Sequence, residues 1–166
     1  MMRKILLAAF SAILLLGSCL KGKNIVCNYN DCSIKAPDPE ILALQNYLSA
    51  NSIIAVQHCS GLFYRVENPG TGQAPLICSY VSVRYKGYLT SGAVFDETTT
   101  AVPINLSQVI QGWKNGVPLL KTGGRIVLYV PPSLGYGNQE VRDQNGNILI
   151  PANSNLIFEI NLDAII

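Results

Sequence analysis

From Gly61 to the end of the chain, apolar side chains recur at every second position. Helical spacing breaks that rhythm in one place, near 109–119. Leu62, Tyr64 and Val66 alternate with Phe63, Arg65 and Glu67, and Val81, Val83 and Tyr85 alternate with Ser82, Arg84 and Lys86. Ile126, Leu128 and Val130 make a further set that Pro131-Pro132 stops, and Leu156, Phe158, Ile160 and Leu162 make the last. Successive strand side chains point to opposite faces, so each set predicts a strand with one buried face. Asn68-Pro69-Gly70-Thr71-Gly72 is a turn cluster, and Thr90-Ser91-Gly92 turns the chain toward Val94-Phe95-Asp96. Val109, Ile110, Trp113 and Val117 share a helical face, and Pro118 limits how far that helix runs. The expectation is an α+β domain over 61–166, an antiparallel sheet wrapped around a short central α-helix. About 100 residues bury one core and no more.

The same segments carry five aromatic residues able to face inward: Tyr85, Phe95, Trp113, Tyr136 and Phe158. On alternating strands Tyr85 and Phe158 have core packing as their plain reading. Trp113 is the single tryptophan, follows a glycine and brings an indole N–H that wants a partner. Tyr136, between Gly135 and Gly137 on a loop, is poorly placed for core duty. Together they suggest an apolar cup sized for a compact group such as a proline ring. Asp96, directly after Phe95, is either a turn-capping carboxylate or a rim group of that cup.

The front of the chain reads as a targeting device. Arg3 and Lys4 precede an apolar run, Ile5 to Leu16, interrupted by Ser11 alone. A bilayer-spanning helix needs roughly 20 residues, and this run has the length of a signal-peptide apolar core instead. Leu16-Gly17-Ser18-Cys19 follows at once and resembles a bacterial lipobox. Residues 1–18 are therefore expected to be a lipoprotein signal peptide, with Cys19 lipidated. An ordinary secretory signal with an incidental cysteine is the alternative. Leu20 stands where an aspartate would favour inner-membrane retention in lipoproteins, which points to the outer membrane. The chain has 12 basic and 10 acidic residues, and losing Arg3 and Lys4 leaves 10 (12 − 2) against 10. With no basic stripe, nucleic-acid binding is disfavoured.

Four further cysteines, Cys27, Cys32, Cys59 and Cys78, make an even number in an exported chain and suggest two disulfides. Three pairings exist, and the two short closures, Cys27–Cys32 and Cys59–Cys78, are favoured. The C-x4-C spacing is a poor zinc pattern and His58 is the only histidine, so no metal or cofactor is expected. His58 reads as a solvated loop residue. Residues 19–37 read as a polar tether carrying a cysteine pair. Residues 38–60 read as an additional N-terminal helix and connector. Asp38 is the expected N-cap, Pro39 the first helical position and Asn51 the stop. Ile41, Leu44 and Leu48 share a face expected to pack on the domain, with pairing of two chains as the alternative.

The segments VRYKGYL with Phe95-Asp96 following, VIQGWKNGV, and GYG ahead of IPANSNLIFEI resemble the FKBP-type peptidyl-prolyl cis-trans isomerases over roughly Gly61 to Ile166. That resemblance implies an FKBP-like half-wrapped sheet with a pocket between sheet and helix. It implies Trp113 as the floor and Tyr85, Phe95 and Phe158 as walls. Val109, Ile110, Leu149 and Ile150 would add aliphatic contact. The Tyr136 hydroxyl and the Ile110 backbone N–H would each serve a substrate carbonyl, with Asp96 at the rim beside Tyr85. Three departures stand out. Val102 sits where a wall aromatic is usual. Gln108 takes a commonly acidic or glycine position at the rim. The loop between Tyr136 and Leu149 is longer than in compact members and carries Asn145-Gly146, a tight-turn signal. The implied activity is peptidyl-prolyl isomerisation of proline-containing segments of exported proteins, with macrolide inhibitors as possible ligands. A binding or chaperone module with little turnover is the alternative, and Val102 is the feature behind it.

Overall fold

The computed structural model describes Cys27 and residues 29–166, so the lipobox and Cys19 lie outside the described residues. Chain order is α1 (Asp38–Ala50), β1 (Val56–Gln57), β2 (Phe63–Asn68), β3 (Tyr80–Leu89), β4 (Val94–Asn105), α2 (Gln111–Gly116), β5 (Arg125–Val130), β6 (Val141–Arg142), β7 (Ile148–Ile150) and β8 (Leu156–Ile165). Single 3-10 turns precede and follow α2, at Leu106–Gln108 and Val117–Leu119, and a third spans Pro132–Leu134. Six strands form one antiparallel sheet in the order β1-β2-β5-β8-β3-β4, and β6 and β7 form a separate hairpin.

Two glycines let α2 sit close to the sheet. A Cβ on Gly112 would lie 2.6 Å from a Val130 methyl, and one on Gly116 would lie 2.5 Å from a Leu128 methyl. Four residues apart, they share a helix face, and their bare backbone rests on β5. Trp113, the next residue after Gly112, is thereby held over the sheet. The helix is shorter than the apolar spacing suggests: Val109 and Ile110 precede it, and Pro118 falls in the following 3-10 turn.

Strand β5 departs from simple alternation. Ile126 to Val130 are all buried, because β5 lies between β2 and β8 and its face away from α2 is covered as well. Strand β4 is much longer than the Val94-Phe95-Asp96 start, running 12 residues to Asn105. Its Thr and Ala residues carry no apolar rhythm, and a register shift opposite Val83 and Tyr85 interrupts the ladder.

Helix α1 belongs to the same core. Ile41, Leu44 and Leu48 are buried with the sheet residues, and the Glu40 carboxylate accepts from the Ser133 amide at 2.9 Å. The N-cap is Pro37, with Asp38 already helical and Asn51 at the C-cap. Asp38 ion-pairs with Lys35 at 3.8 Å rather than capping the helix with its side chain.

The disulfides are Cys27–Cys78 and Cys32–Cys59, with Cα separations of 6.0 and 5.5 Å, which corrects the short-closure pairing. The topology explains it. Cys59 leads into β2 and Cys78 into β3, and β5 and β8 lie between those strands. Three strand spacings are about 14 Å, twice what a disulfide bridges. Each early cysteine instead meets one from the domain. Tyr29 adds to this attachment, its hydroxyl contacting Gln111 and Asn115 of α2. The described part of the expected tether is therefore bound along the domain.

Candidate active site

A hollow of about 530 Å³ lies between α2 and the sheet. Trp113 forms its floor at 4% exposure. The rings around it meet edge to face: Tyr85–Trp113 at 5.2 Å, Trp113–Phe158 at 5.4 Å and Phe95–Phe158 at 5.5 Å between centroids. This arrangement brings the positive edge of one ring to the negative face of the next and leaves a faceted apolar surface.

Strand register delivers these rings. Gly87 on β3 pairs with Asp96 on one side and Phe158 on the other. A Cβ there would come within 2.6 Å of the Phe95 ring and 3.0 Å of the Phe158 ring. The missing side chain is the space in which the two rings meet. The β3 and β8 residues alternate, so Tyr85 and Phe158 reach the helix side of the sheet with Val83 and Ile160.

The polar groups sit at the rim. The Tyr85 hydroxyl donates to Asp96 Oδ2 at 2.6 Å. Burial first, then the Asp96 carboxylate, pushes the Tyr85 phenol well above its ordinary pKa, so it stays a donor. Tyr136 is 39% exposed, and its phenol is also pushed up, by burial and then by Asp96. Its loop is held by the Gly137 amide donating to Pro132 O at 2.8 Å and the Asn153 amide donating to Gly137 O at 2.7 Å. Gly137 takes φ +61, which glycine adopts without strain. Ile110 is the N-cap of α2, so its N–H stands outside the helix ladder.

The structure gathers Tyr85, Phe95, Asp96, Val109, Ile110, Trp113, Tyr136, Leu149, Ile150 and Phe158 around this hollow, and Gln108 as well. Val102 is not brought there. It lies opposite Val83 and is half-buried, and Ile104, two residues on and on the same face, lines the hollow instead. Ile104 and Val141 escaped the sequence reading, since β4 lacks a clear rhythm and β6 is two residues long. Val141 and Leu149 arrive on the β6–β7 hairpin. Its Asn145-Gly146 turn is organised by Asp143, which accepts from the Asn145 and Asn147 amides at 2.8 Å each. Gly146 sits at φ +85. His58 is not solvated: its side chain is 9% exposed and contacts Ser60 and Asp31.

Comparison with known proteins agrees with this architecture. The family model for FKBP-type peptidyl-prolyl cis-trans isomerase matches residues 72–163, more than half of the chain. The chain belongs to that family. An FkpA-type isomerase of Buchnera aphidicola is 45% identical over 106 residues, covering 62% of this chain and 42% of the relative. FkpA of Escherichia coli K12 is 40% identical over 106 residues, covering 62% and 37%. The chain thus spans about two fifths of the length of these curated relatives. Among solved structures, a Pseudomonas syringae peptidyl-prolyl isomerase superposes with a TM-score of 0.65 at 29% identity, covering 79% of this chain and 97% of that one. Escherichia coli FkpA superposes with a TM-score of 0.65 at 32% identity, covering 76% and 59%.

Proposed function

We propose that the chain is a peptidyl-prolyl cis-trans isomerase that acts on proline-containing segments of exported proteins without forming a covalent intermediate. The ring-lined hollow, with Tyr85 tied to Asp96 at its rim, is the observation that carries this reading. The bond before proline rotates over a barrier of ~18–20 kcal/mol because resonance resists twisting. The twisted imide has lost conjugation, so its carbonyl is less polar and its nitrogen more basic. An apolar surface that holds the twisted form better than either planar form lowers the barrier by differential binding. Each tenfold gain takes about 1.4 kcal/mol of that preference. Trp113, Tyr85, Phe95 and Phe158 would hold the pyrrolidine. The Tyr136 hydroxyl and Ile110 N–H would fix flanking carbonyls, Val109, Leu149 and Ile150 would support neighbouring residues, and Asp96 would orient Tyr85 and shape the field. Asp96 is no general base here, since no proton leaves the substrate. Macrolide inhibitors would fill the same hollow.

The chain is further proposed to be exported and acylated at Cys19, with the outer membrane as its site. The lipobox motif supports that reading, as do two disulfides of the kind that persist in oxidising compartments. Changing Cys19 to Ala is expected to release the protein from membranes, and retention there would remove the anchor from the account.

A protease-coupled or refolding assay on an Xaa-Pro peptide tests the activity. Acceleration is expected for the parent and loss of acceleration for Trp113→Ala and Tyr136→Ala with the fold retained. Peptide binding without acceleration would make the domain a binding module, and unchanged rates in both variants would refute the site.

A further inference from the structure

The segment ahead of α1 carries Asp31 and Cys32, and the turn between β1 and β2 carries His58 and Cys59. One ligand atom from each of the four lies within 4.8 Å of the others. The Cys32–Cys59 disulfide has no need of an imidazole or a carboxylate. Yet His58 Nε2 lies 3.3 Å from Asp31 Oδ2 and 3.8 Å from Cys59 Sγ, and Cys32 Sγ lies 3.4 Å from Asp31 Oδ1. In tetrahedral zinc sites, with Zn–N near 2.0–2.1 Å and Zn–S near 2.3 Å, nitrogen and oxygen ligands stand about 3.3 Å apart, nitrogen and sulfur about 3.6 Å, and two sulfurs about 3.8 Å. The His58–Asp31 and His58–Cys59 edges are already close to these lengths, and the two sulfurs must part for the site to open.

We propose that Cys32, Cys59, His58 and Asp31 form a zinc site that becomes available when their disulfide is reduced. Oxidised, the pair staples the N-terminal segment to the β1–β2 turn. A dithiol reductant delivers two electrons and two protons, the S–S bond breaks, two thiols form and the reductant becomes a disulfide. Zn²⁺ then displaces both thiol protons to solvent and takes two thiolates, the His58 imidazole and the Asp31 carboxylate, a mixed S₂NO set suited to zinc. In the oxidised state the Ser60 amide donates to His58 Nδ1 at 3.2 Å, which leaves the ring proton on Nε2 toward Asp31. Zinc at Nε2 moves that proton to Nδ1. The hydroxyl of fully buried Ser60, 2.9 Å away, accepts it there, and the Ser60 amide gives up its bond to the ring. Cys27 and Cys78 are not part of this cluster.

The test is a titration of the dithiol-reduced, oxygen-free protein with Zn²⁺ alone, competed against a chromophoric chelator, with Co²⁺ as an optical probe of thiolate ligation. One zinc per chain is expected for the reduced protein and none for the oxidised. The Cys32→Ser/Cys59→Ser variant should lose the site and Cys27→Ser/Cys78→Ser should keep it. His58→Gln leaves both disulfides possible and should bind zinc about tenfold more weakly or worse. Equal affinity in His58→Gln and parent, or zinc that follows Cys27 and Cys78, overturns the proposal. Near-UV circular dichroism guards against an unfolded reduced chain: a signal that is lost on reduction and not restored by zinc also overturns it.

Discussion

The Tyr85 hydroxyl and Asp96 Oδ2 stand 2.6 Å apart across two neighbouring strands, β3 and β4, and the bond closes one side of the hollow. A hydrogen bond to a charged acceptor contributes about 1.5–3 kcal/mol when its partner would otherwise be stranded. Tyr85→Phe and Asp96→Asn are each expected to lower kcat/KM on a prolyl peptide by about tenfold, about 1.4 kcal/mol. The double variant should lose little more than either single one, because both remove the same bond. Fully additive losses would separate the two residues.

Gly87 is the position where the smallest substitution should do most. A methyl there meets the rings of Phe95 and Phe158 at 2.6 and 3.0 Å. Overpacking of this kind destabilises by about 1–3 kcal/mol. Gly87→Ala is expected to fold with a lowered Tm and to bind prolyl peptide poorly, as equilibrium denaturation and the isomerase assay would record. Parent-like binding would mean that the rings need not meet over β3.

The pH response follows from groups held away from their ordinary ionisation. Burial and then Asp96 raise the Tyr85 phenol, and burial and then Glu159 raise that of Tyr88. A raised folded-state pKa contributes stability below the unfolded value, about 10 for tyrosine, that is lost as pH climbs through the folded value. Asp163 is lowered, chiefly by its hydrogen bond to Arg84, so its contribution is present at neutral pH and lost on acidification below the ordinary carboxylate range. Denaturation midpoints should therefore fall at both extremes. Tyr85→Phe/Tyr88→Phe should flatten the alkaline limb, and Arg84→Ala the acid limb.

Helix α1 lies ahead of the residues that the family model matches, yet Leu44 is fully buried in the shared core. Leu44→Ala is expected to cost about 2–5 kcal/mol. One cooperative transition, followed by both Trp113 fluorescence and far-UV circular dichroism, should shift as a whole. A separate early melting of α1 would make it an appendage.

Strands β3 and β8 and the short helix were legible because each has one wetter face, so burial writes itself into the period of the sequence. Val81 and Val83 on β3, and Leu156 to Leu162 on β8, follow that rule. Strand β5 hides both faces and so carries no usable alternation at Val127 and Tyr129. The ring residues of the hollow could be named from motif and position, whereas Ile104 and Val141 could not. Both depend on register between strands that local sequence does not encode. The cysteine pairing failed for a related reason. Sequence distance favours short loops, but strand order keeps Cys59 and Cys78 far apart.

Under the proposed acylation at Cys19, the Cys27–Cys78 crosslink would limit how far the domain can stray. Because Cys27 is bolted to Cys78, the covalent path from the proposed acylation site at Cys19 to that crosslink counts 27 − 19 = 8 residues. Fully drawn out, that is about 29 Å. A catalyst so moored would patrol a shell about one bilayer deep, meeting polypeptides as they brush the lipid surface rather than those dispersed beyond it.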